Sequence, residues 1–164
     1  MAALQIAVSP GLRAPPSDWH PWLEGLAESV AAVHPLAAPI QLIVADDAYL
    51  RQLNAAYRDR DEATDVLSFD LGAPDLPEVE AVAAEIYISL ERAAAQAAEQ
   101  AVPVMEEMAR LLVHGLLHLA GFEHDTPASL RRMEEETEVF LRTAEFPLAR
   151  ETDDCTDPVP GSMR

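Results

Sequence analysis

The sequence predicts an α+β fold in which a small mixed β-sheet packs with about five helices. Two observations lead to this prediction. Short β-prone segments alternate with longer stretches of helical periodicity in the order β-α-β-α-β-β-α-α-α, and Gly or Pro residues separate most of them. The 164 residues are 49% hydrophobic, which suffices for one ordinary core. We therefore expect a single domain over residues 1–150 and a disordered acidic tail over residues 151–164.

The first half of the chain predicts two strands and two helices. Residues 3–8 alternate enough to form a strand, and residues 40–45 are a compact β-prone run. Between these strands, apolar residues recur at helical spacing up to residue 33. A second helix, capped by Asp46 or Asp47, runs through residue 57. The buried stripe of this second helix is expected to consist of Leu50, Leu53 and Tyr57.

The second half predicts two strands and three helices. The strands cover residues 66–69 and 84–89, and a surface loop rich in Pro and acids separates them. Ser89 is expected to cap the Ala-rich helix that follows it to about residue 100. The next helix begins near Pro103 and stops at Gly121, and its sides are almost entirely apolar, so we expect it to be buried and central. The last helix is expected over residues 127–144.

The charge balance is strongly acidic. Twenty-nine Asp and Glu oppose eleven Arg, there is no Lys, and the formal net charge is −18. This balance argues against general RNA coating, which needs a basic surface, but it permits a local cationic cleft. An acidic surface that merely keeps the protein soluble explains the charge equally well. The single Cys155 excludes an internal disulfide framework, and no signal peptide or membrane span is visible, so we expect a cytoplasmic protein without membrane contact.

Three of the five histidines lie close together in the sequence. His114 and His118 are four residues apart on the predicted central helix, so they project from one face, one turn apart. Gly121 can adopt a left-handed conformation and end the helix, which lets the chain double back and bring His124 toward the same point. Three imidazole ligands leave a fourth position for water, as in catalytic zinc sites. The spacing therefore predicts one Zn²⁺ per chain, held by these three histidines.

A second interpretation of this spacing stays open. Metzincin proteases share the H-x₃-H-x₅-H pattern, but the residue after their first His is a Glu that activates water. Gly115 occupies that position here. The metalloprotease interpretation is therefore less favoured, although another carboxylate could take the place of the Glu. Asp125, directly after the third His, could orient a ligand or cap the following helix. His20 and His34 are expected to be ordinary surface or core histidines.

Two stretches of the chain resemble signatures of the YbeY family of endoribonucleases. Residues 53–69 read LNAAYRDRDEATDVLSF and are similar to the family pattern LNxxYRxxDxxTDVLSF. Residues 114–125 read HGLLHLAGFEHD and are similar to HGxLHLxGYDHD. The resemblance spans roughly residues 45–138. The chain departs from the family at Asp70, where Pro is usual, at Ala84-Glu85, where Gly-Asp is frequent, and at Phe122-Glu123, where the family has Tyr-Asp.

The resemblance implies a zinc-dependent, single-strand-specific endoribonuclease that acts in 16S rRNA 3′-end maturation and in ribosome quality control. The implied partners are single-stranded RNA, ribosomal RNA, and the small ribosomal subunit or its proteins. The resemblance also implies that the zinc ligands are His114, His118 and His124. It implies that Arg58 is the catalytic arginine of the RNA cleft. A non-catalytic ribosome assembly factor with a structural zinc is the remaining alternative.

The role implied for Arg58 agrees with the chemistry of the reaction. Phosphodiester cleavage builds negative charge on the phosphoryl oxygens, and the planar guanidinium stabilises this charge better than an ammonium group does. Arg58 could instead pair with Asp59, Asp61 or Asp65 of its own acidic loop. Arg60 is a second candidate for the same role.

Overall fold

The computed structural model describes residues 4–8, 19–60, 62, 64–72 and 82–143. Within these ranges the elements are β1 (Leu4–Val8), α1 (Trp19–Val33), β2 (Ile40–Ala45), α2 (Asp47–Arg58), β3 (Val66–Asp70), β4 (Ala84–Ser89), α3 (Leu90–Gln100), α4 (Val104–Leu119) and α5 (Pro127–Thr143). The predicted α+β class and element order are confirmed. None of the described helices is long and apolar enough to cross a membrane. The tail predicted over residues 151–164 lies outside the described residues, and the single domain over residues 1–150 stays a prediction.

The described strands form one mixed sheet in the order β1-β2-β4-β3. β1, β2 and β4 are parallel to their neighbours, whereas β3 is antiparallel to β4. Parallel neighbours need crossover connections, and α1 provides the one between β1 and β2. The inner strands β2 and β4 are apolar because helices cover the sheet. Their fully buried residues include Ile40, Leu42, Val44, Ile86 and Ile88.

The central helix is α4, as the sequence predicts. It packs against α1, α3, α5, β3 and β4, and nearly its whole circumference is buried. It comes close to the sheet at Gly115, where an added Cβ would lie 2.9 Å from Ser68 Oγ and 3.0 Å from Ile86 Cγ2. The Ser68 hydroxyl also donates a hydrogen bond of 3.2 Å to the Gly115 carbonyl. A glycine at this position therefore lets α4 and β3 come into direct contact.

The α2 helix packs on a second, smaller apolar cluster formed by Ala45, Leu50 and Leu67. Leu67 and Phe69 point toward α2, since side chains alternate along β3 and Ser68 faces α4. The predicted cap is confirmed, because the Asp46 carboxylate accepts the Tyr49 N–H at 2.8 Å.

The predicted buried stripe of α2 is wrong at its last member. Leu50 is buried and Leu53 is partly buried, but 71% of Tyr57 is exposed. The cluster beneath α2 is small, and within the described part of the chain the ring contact of Tyr57 is with Phe69. Asn54 takes a buried position instead and donates a hydrogen bond to the Glu62 carbonyl at 3.0 Å.

Candidate metal centre

A tight turn at the C-terminal end of α4 brings the three predicted histidines together. Gly121 has a φ of +103°, in the region that favours glycine. Its N–H donates to the His118 carbonyl at 3.0 Å, and the Phe122 N–H donates to the Leu117 carbonyl at 2.9 Å. These two bonds form a Schellman motif, which ends the helix and reverses the chain. His124 consequently lies beside the two histidines of α4, as the sequence predicts.

The three imidazole rings have a geometry that fits one metal ion. One nitrogen from each of His114, His118 and His124 lies within 4.8 Å of the others. The Nε2 atoms of His114 and His118 are 3.2 Å apart. Tetrahedral zinc with bonds of 2.0–2.1 Å places neighbouring ligand nitrogens about 3.3 Å apart, so this spacing is already suitable. The Nδ1–H of His118 donates to the Phe122 carbonyl at 3.1 Å, which leaves its Nε2 lone pair available to a cation.

Burial keeps two of these imidazoles in the neutral form that binds metals. Burial, together with the neighbouring His118 and His124, lowers the pKa of His114 from 6.5 to about 4. Burial also lowers the pKa of His118, with additional repulsion from His124 and Arg58. At neutral pH both rings are therefore unprotonated, and a metal cation does not have to displace a proton from either one.

Phe122 supports the turn between the second and third histidines. The His34 ring meets it edge-on at 5.0 Å, and the Arg132 guanidinium lies 5.4 Å from its centroid. His34 is itself held by Glu136, with 2.8 Å between Nε2 and Oε1. These contacts fix the carbonyl that orients His118. This role of Phe122 was not predicted from the sequence, although its position between two predicted ligands was a usable signal.

The two remaining histidines do not join the three-histidine cluster. His34 pairs with Glu136, and His20 pairs with Glu24 at 3.0 Å on the exposed side of α1. Asp125 belongs to the start of α5, where its carboxylate accepts a hydrogen bond of 3.3 Å from the Ser129 hydroxyl.

Arg58 lies at the edge of the sheet, bound to the strand that contacts the histidine helix at Gly115. Its Nη2 donates to the Ser68 carbonyl at 2.8 Å, and its guanidinium carbon is 5.5 Å from the Phe69 centroid. Its charge contributes to the lowered pKa of His118, so the two side chains interact electrostatically.

The acidic loop after α2 gives Arg58 no carboxylate partner within the described residues. Asp59 and Asp65 are described and make no ion pair with it. Asp65 instead accepts a hydrogen bond from Gln96 at 3.1 Å. Asp61 lies outside the described residues. Arg60, the second candidate, is exposed in the loop after α2.

Gly115 separates this site from that of a metzincin protease. The Glu side chain that such an enzyme carries after its first His would begin with a Cβ that overlaps Ser68 and the fully buried Ile86. The packing of α4 on the sheet therefore leaves no room for a general base at this position. Two carboxylates outside α4 oppose the lowering of the histidine pKa values. Asp65 acts to raise the pKa of His114, and Glu123 acts to raise that of His118.

Fold and site together define a small α+β protein with a three-histidine centre suited to an open metal site. A family model described as endoribonuclease YbeY matches residues 13–145, and the chain belongs to this family. An endoribonuclease YbeY of Acaryochloris marina is 41% identical over 118 residues, which cover 68% of this chain and 66% of the relative. One of an Anaeromyxobacter species is 41% identical over 107 residues, which cover 65% of this chain and 55% of the relative. The chain thus spans less than two thirds of the length of both relatives.

A solved structure supports the fold. The solution structure of a Thermotoga maritima protein superimposes with a TM-score of 0.55 at 21% identity. The superposition covers 85% of this chain and 87% of the Thermotoga chain.

Proposed function

We propose that this protein is a metal-dependent endoribonuclease that cleaves single-stranded RNA, with zinc at His114, His118 and His124. The observation that carries the proposal is the position of Arg58, which is anchored on Ser68, the residue that contacts the histidine helix at Gly115, and has no ion-pair partner among the described residues. A hydrolytic metal site with an adjacent arginine suits a phosphodiester, because both groups act on negatively charged oxygens. The named activity of the relatives supports RNA as the substrate.

The finer assignments rest on the resemblance in sequence. We propose that the substrate is the 3′ end of the small-subunit ribosomal RNA, that the protein also acts in ribosome quality control, and that it works in the cytoplasm. The small ribosomal subunit or its proteins are the proposed partners.

The mechanism follows from groups that the fold holds in place. One N–H of Arg58 donates to the Ser68 carbonyl, and among the described residues no carboxylate occupies the rest of the guanidinium fork, which can donate to phosphoryl oxygens. Because Ser68 and Phe69 fix this group before substrate arrives, little reorganisation is needed as negative charge develops. His114, His118 and His124 would provide three nitrogen ligands. A bound zinc ion supplies Lewis-acid polarisation of a phosphate oxygen or a bound water of lowered pKa.

A ribosome assembly factor with a structural zinc is the second candidate. The net charge of −18 favours it, because RNA binding by an acidic protein gains little from counterion release. Such a protein would contain zinc and lose stability on chelation, yet it would cleave no RNA.

An assay of single-stranded RNA cleavage, combined with metal analysis, separates these functions. We expect the zinc-loaded protein to cleave RNA and a chelator to stop it. Arg58→Ala should lower kcat by about 10²- to 10³-fold while zinc content is unchanged, since one preorganised donor is lost. His118→Ala should lose both zinc and cleavage. Arg131→Ala, which removes an exposed arginine from α5, is the control and should behave as the wild type.

Each alternative gives a different result in this assay. Stoichiometric zinc without RNA cleavage would contradict the endoribonuclease and favour the assembly factor. Peptide hydrolysis that is indifferent to Arg58→Ala would favour a metalloprotease.

A further inference from the structure

A row of four aromatic side chains begins beside Arg58 and runs along the α2 face of the sheet. Its ring centroids are separated by 5.6 Å from Tyr57 to Phe69, by 5.8 Å from Phe69 to Tyr87 and by 6.0 Å from Tyr87 to Tyr49. The two inner rings are partly buried and pack on the small cluster beneath α2. Packing on this cluster therefore explains why aromatic side chains occupy positions 69 and 87. It does not account for Tyr57, which is 71% exposed.

Tyr57 and Arg58 share one support. The Tyr57 ring meets Phe69 at an interplanar angle of 68°, and the Arg58 guanidinium lies 5.5 Å from the centroid of the same Phe69 ring. Arg58 is also bonded to the Ser68 carbonyl on the edge strand β3. An exposed aromatic ring and a cation are thus held side by side at the edge of the sheet, and the cation is the group that interacts with His118.

This pair of groups matches the two parts of a nucleotide. A base stacks on an aromatic ring, and this contact is worth about 1–3 kcal/mol for each base, whatever the base. A phosphate takes the fork of N–H donors that an arginine presents. Because the chain carries −18 net charge, stacking has to supply much of the affinity that other RNA-binding proteins obtain from a basic surface.

We propose that Tyr57 is the base-stacking residue of the RNA site and receives the base of a nucleotide adjacent to the phosphate that Arg58 contacts. This inference rests on the proposed endoribonuclease function and adds to it the way in which a single strand is held. The RNA strand crosses the edge of the sheet at β3, with this base on the α2 side and the phosphate toward the histidines. Recognition by stacking requires an unpaired base, which accounts for selectivity toward single strands.

A cycle of paired changes in protein and RNA tests this proposal. The probe is a set of short single-stranded RNAs of one sequence, each with one abasic nucleotide at a different position. Binding is measured by fluorescence anisotropy with the zinc-loaded protein and 2′-O-methyl RNA, so that cleavage is not needed for the result. We expect one abasic position to weaken binding to the wild type by about 5- to 150-fold, the range that corresponds to 1–3 kcal/mol.

The protein variants identify the partner of that base. Tyr57→Ala should bind intact RNA more weakly by the same factor and should no longer respond to the abasic position. Tyr57→Phe should behave as the wild type, since it keeps the ring. Tyr49→Ala is the matched control, because it removes a 40% exposed tyrosine from the same helix at the far end of the row, and it should bind within twofold of the wild type.

Two results would overturn the inference. Tyr57→Ala that binds intact RNA as tightly as the wild type does, or that still responds to the abasic position, would show that the base stacks elsewhere. If Tyr57→Ala gives either result but the wild type still cleaves single-stranded RNA, the base-stacking proposal fails and the proposed endoribonuclease function stands. A zinc-loaded wild type that neither binds nor cleaves RNA rejects both proposals together.

Discussion

The contact between α4 and the sheet can be tested with Gly115→Ala. In a helix interior, alanine is more stable than glycine by about 1 kcal/mol. At this position the new Cβ would meet Ser68 Oγ at 2.9 Å and two atoms of Ile86 at 3.0 and 3.3 Å. Ile86 is fully buried and cannot move aside freely, and overpacking of this kind costs about 1–3 kcal/mol. We therefore expect Gly115→Ala to lower the free energy of unfolding by about 1 kcal/mol, despite the better helix propensity.

Gly25→Ala in α1 is the matched control for this substitution. An added Cβ there has no atom within 4 Å, so only the propensity gain of about 1 kcal/mol remains and the variant should be more stable. Both variants are compared by urea denaturation with chelator present, because bound metal would stabilise the folded state. Ser68→Ala removes the nearest atom and should reduce the cost of Gly115→Ala. If Gly115→Ala is stabilised as much as Gly25→Ala, the close approach of helix and sheet is refuted.

Three further predictions concern the surroundings of the site. Phe122→Ala should weaken zinc binding by about 10- to 100-fold in competition with a chromophoric chelator, because the turn that holds the backbone carbonyl of residue 122 against His118 loses its ring contacts, whereas Val139→Ala at an exposed position of α5 should not. Burial lowers the pKa of His114 to about 4, so below pH 6.5 the unfolded chain binds a proton that the folded chain does not. In the metal-free protein, His114 should thus contribute a loss on the order of 2 kcal/mol as pH falls from 6.5 to 4, and His114→Gln should remove this contribution in urea denaturation measured across that range. Ser89→Ala should destabilise the protein by about 1 kcal/mol in thermal unfolding, because α3 loses its N-cap.

Local signals in the sequence predicted the elements well. The bounds of β2 and β4 and the end of α3 agree with the prediction, and the cap at Ser89 and the positive φ of Gly121 were also foreseen. Each of these depends on residues near in sequence. The burial of Tyr57 was predicted wrongly because it depends on what lies across from the helix, and helical spacing does not contain this information.

The candidate metal site shows the same difference between features set by nearby residues and features set by distant ones. The three histidines could be predicted because a helix and a glycine turn fix their relative positions within eleven residues. Their support could not, since the pair of His34 and Glu136 joins residues 102 positions apart. The anchoring of Arg58 on Ser68 also required the structure, because the sequence left pairing with its own acidic loop equally open.

The packing of α4 on β3 links the fold to the chemistry of the site. The absence of a side chain at residue 115 lets β3 approach the helix that carries the histidines, and β3 provides the carbonyl that holds Arg58. The same close approach excludes a carboxylate after the first histidine. Gly115 therefore disfavours the peptide-cleaving arrangement and favours an arginine on the strand that contacts the histidine helix. On this reasoning, Gly115→Ala should reduce RNA cleavage more than it reduces zinc affinity, because it displaces the strand that anchors Arg58, whereas the hydrogen bonds of the turn that positions His124 join residues 117–122 and do not involve β3.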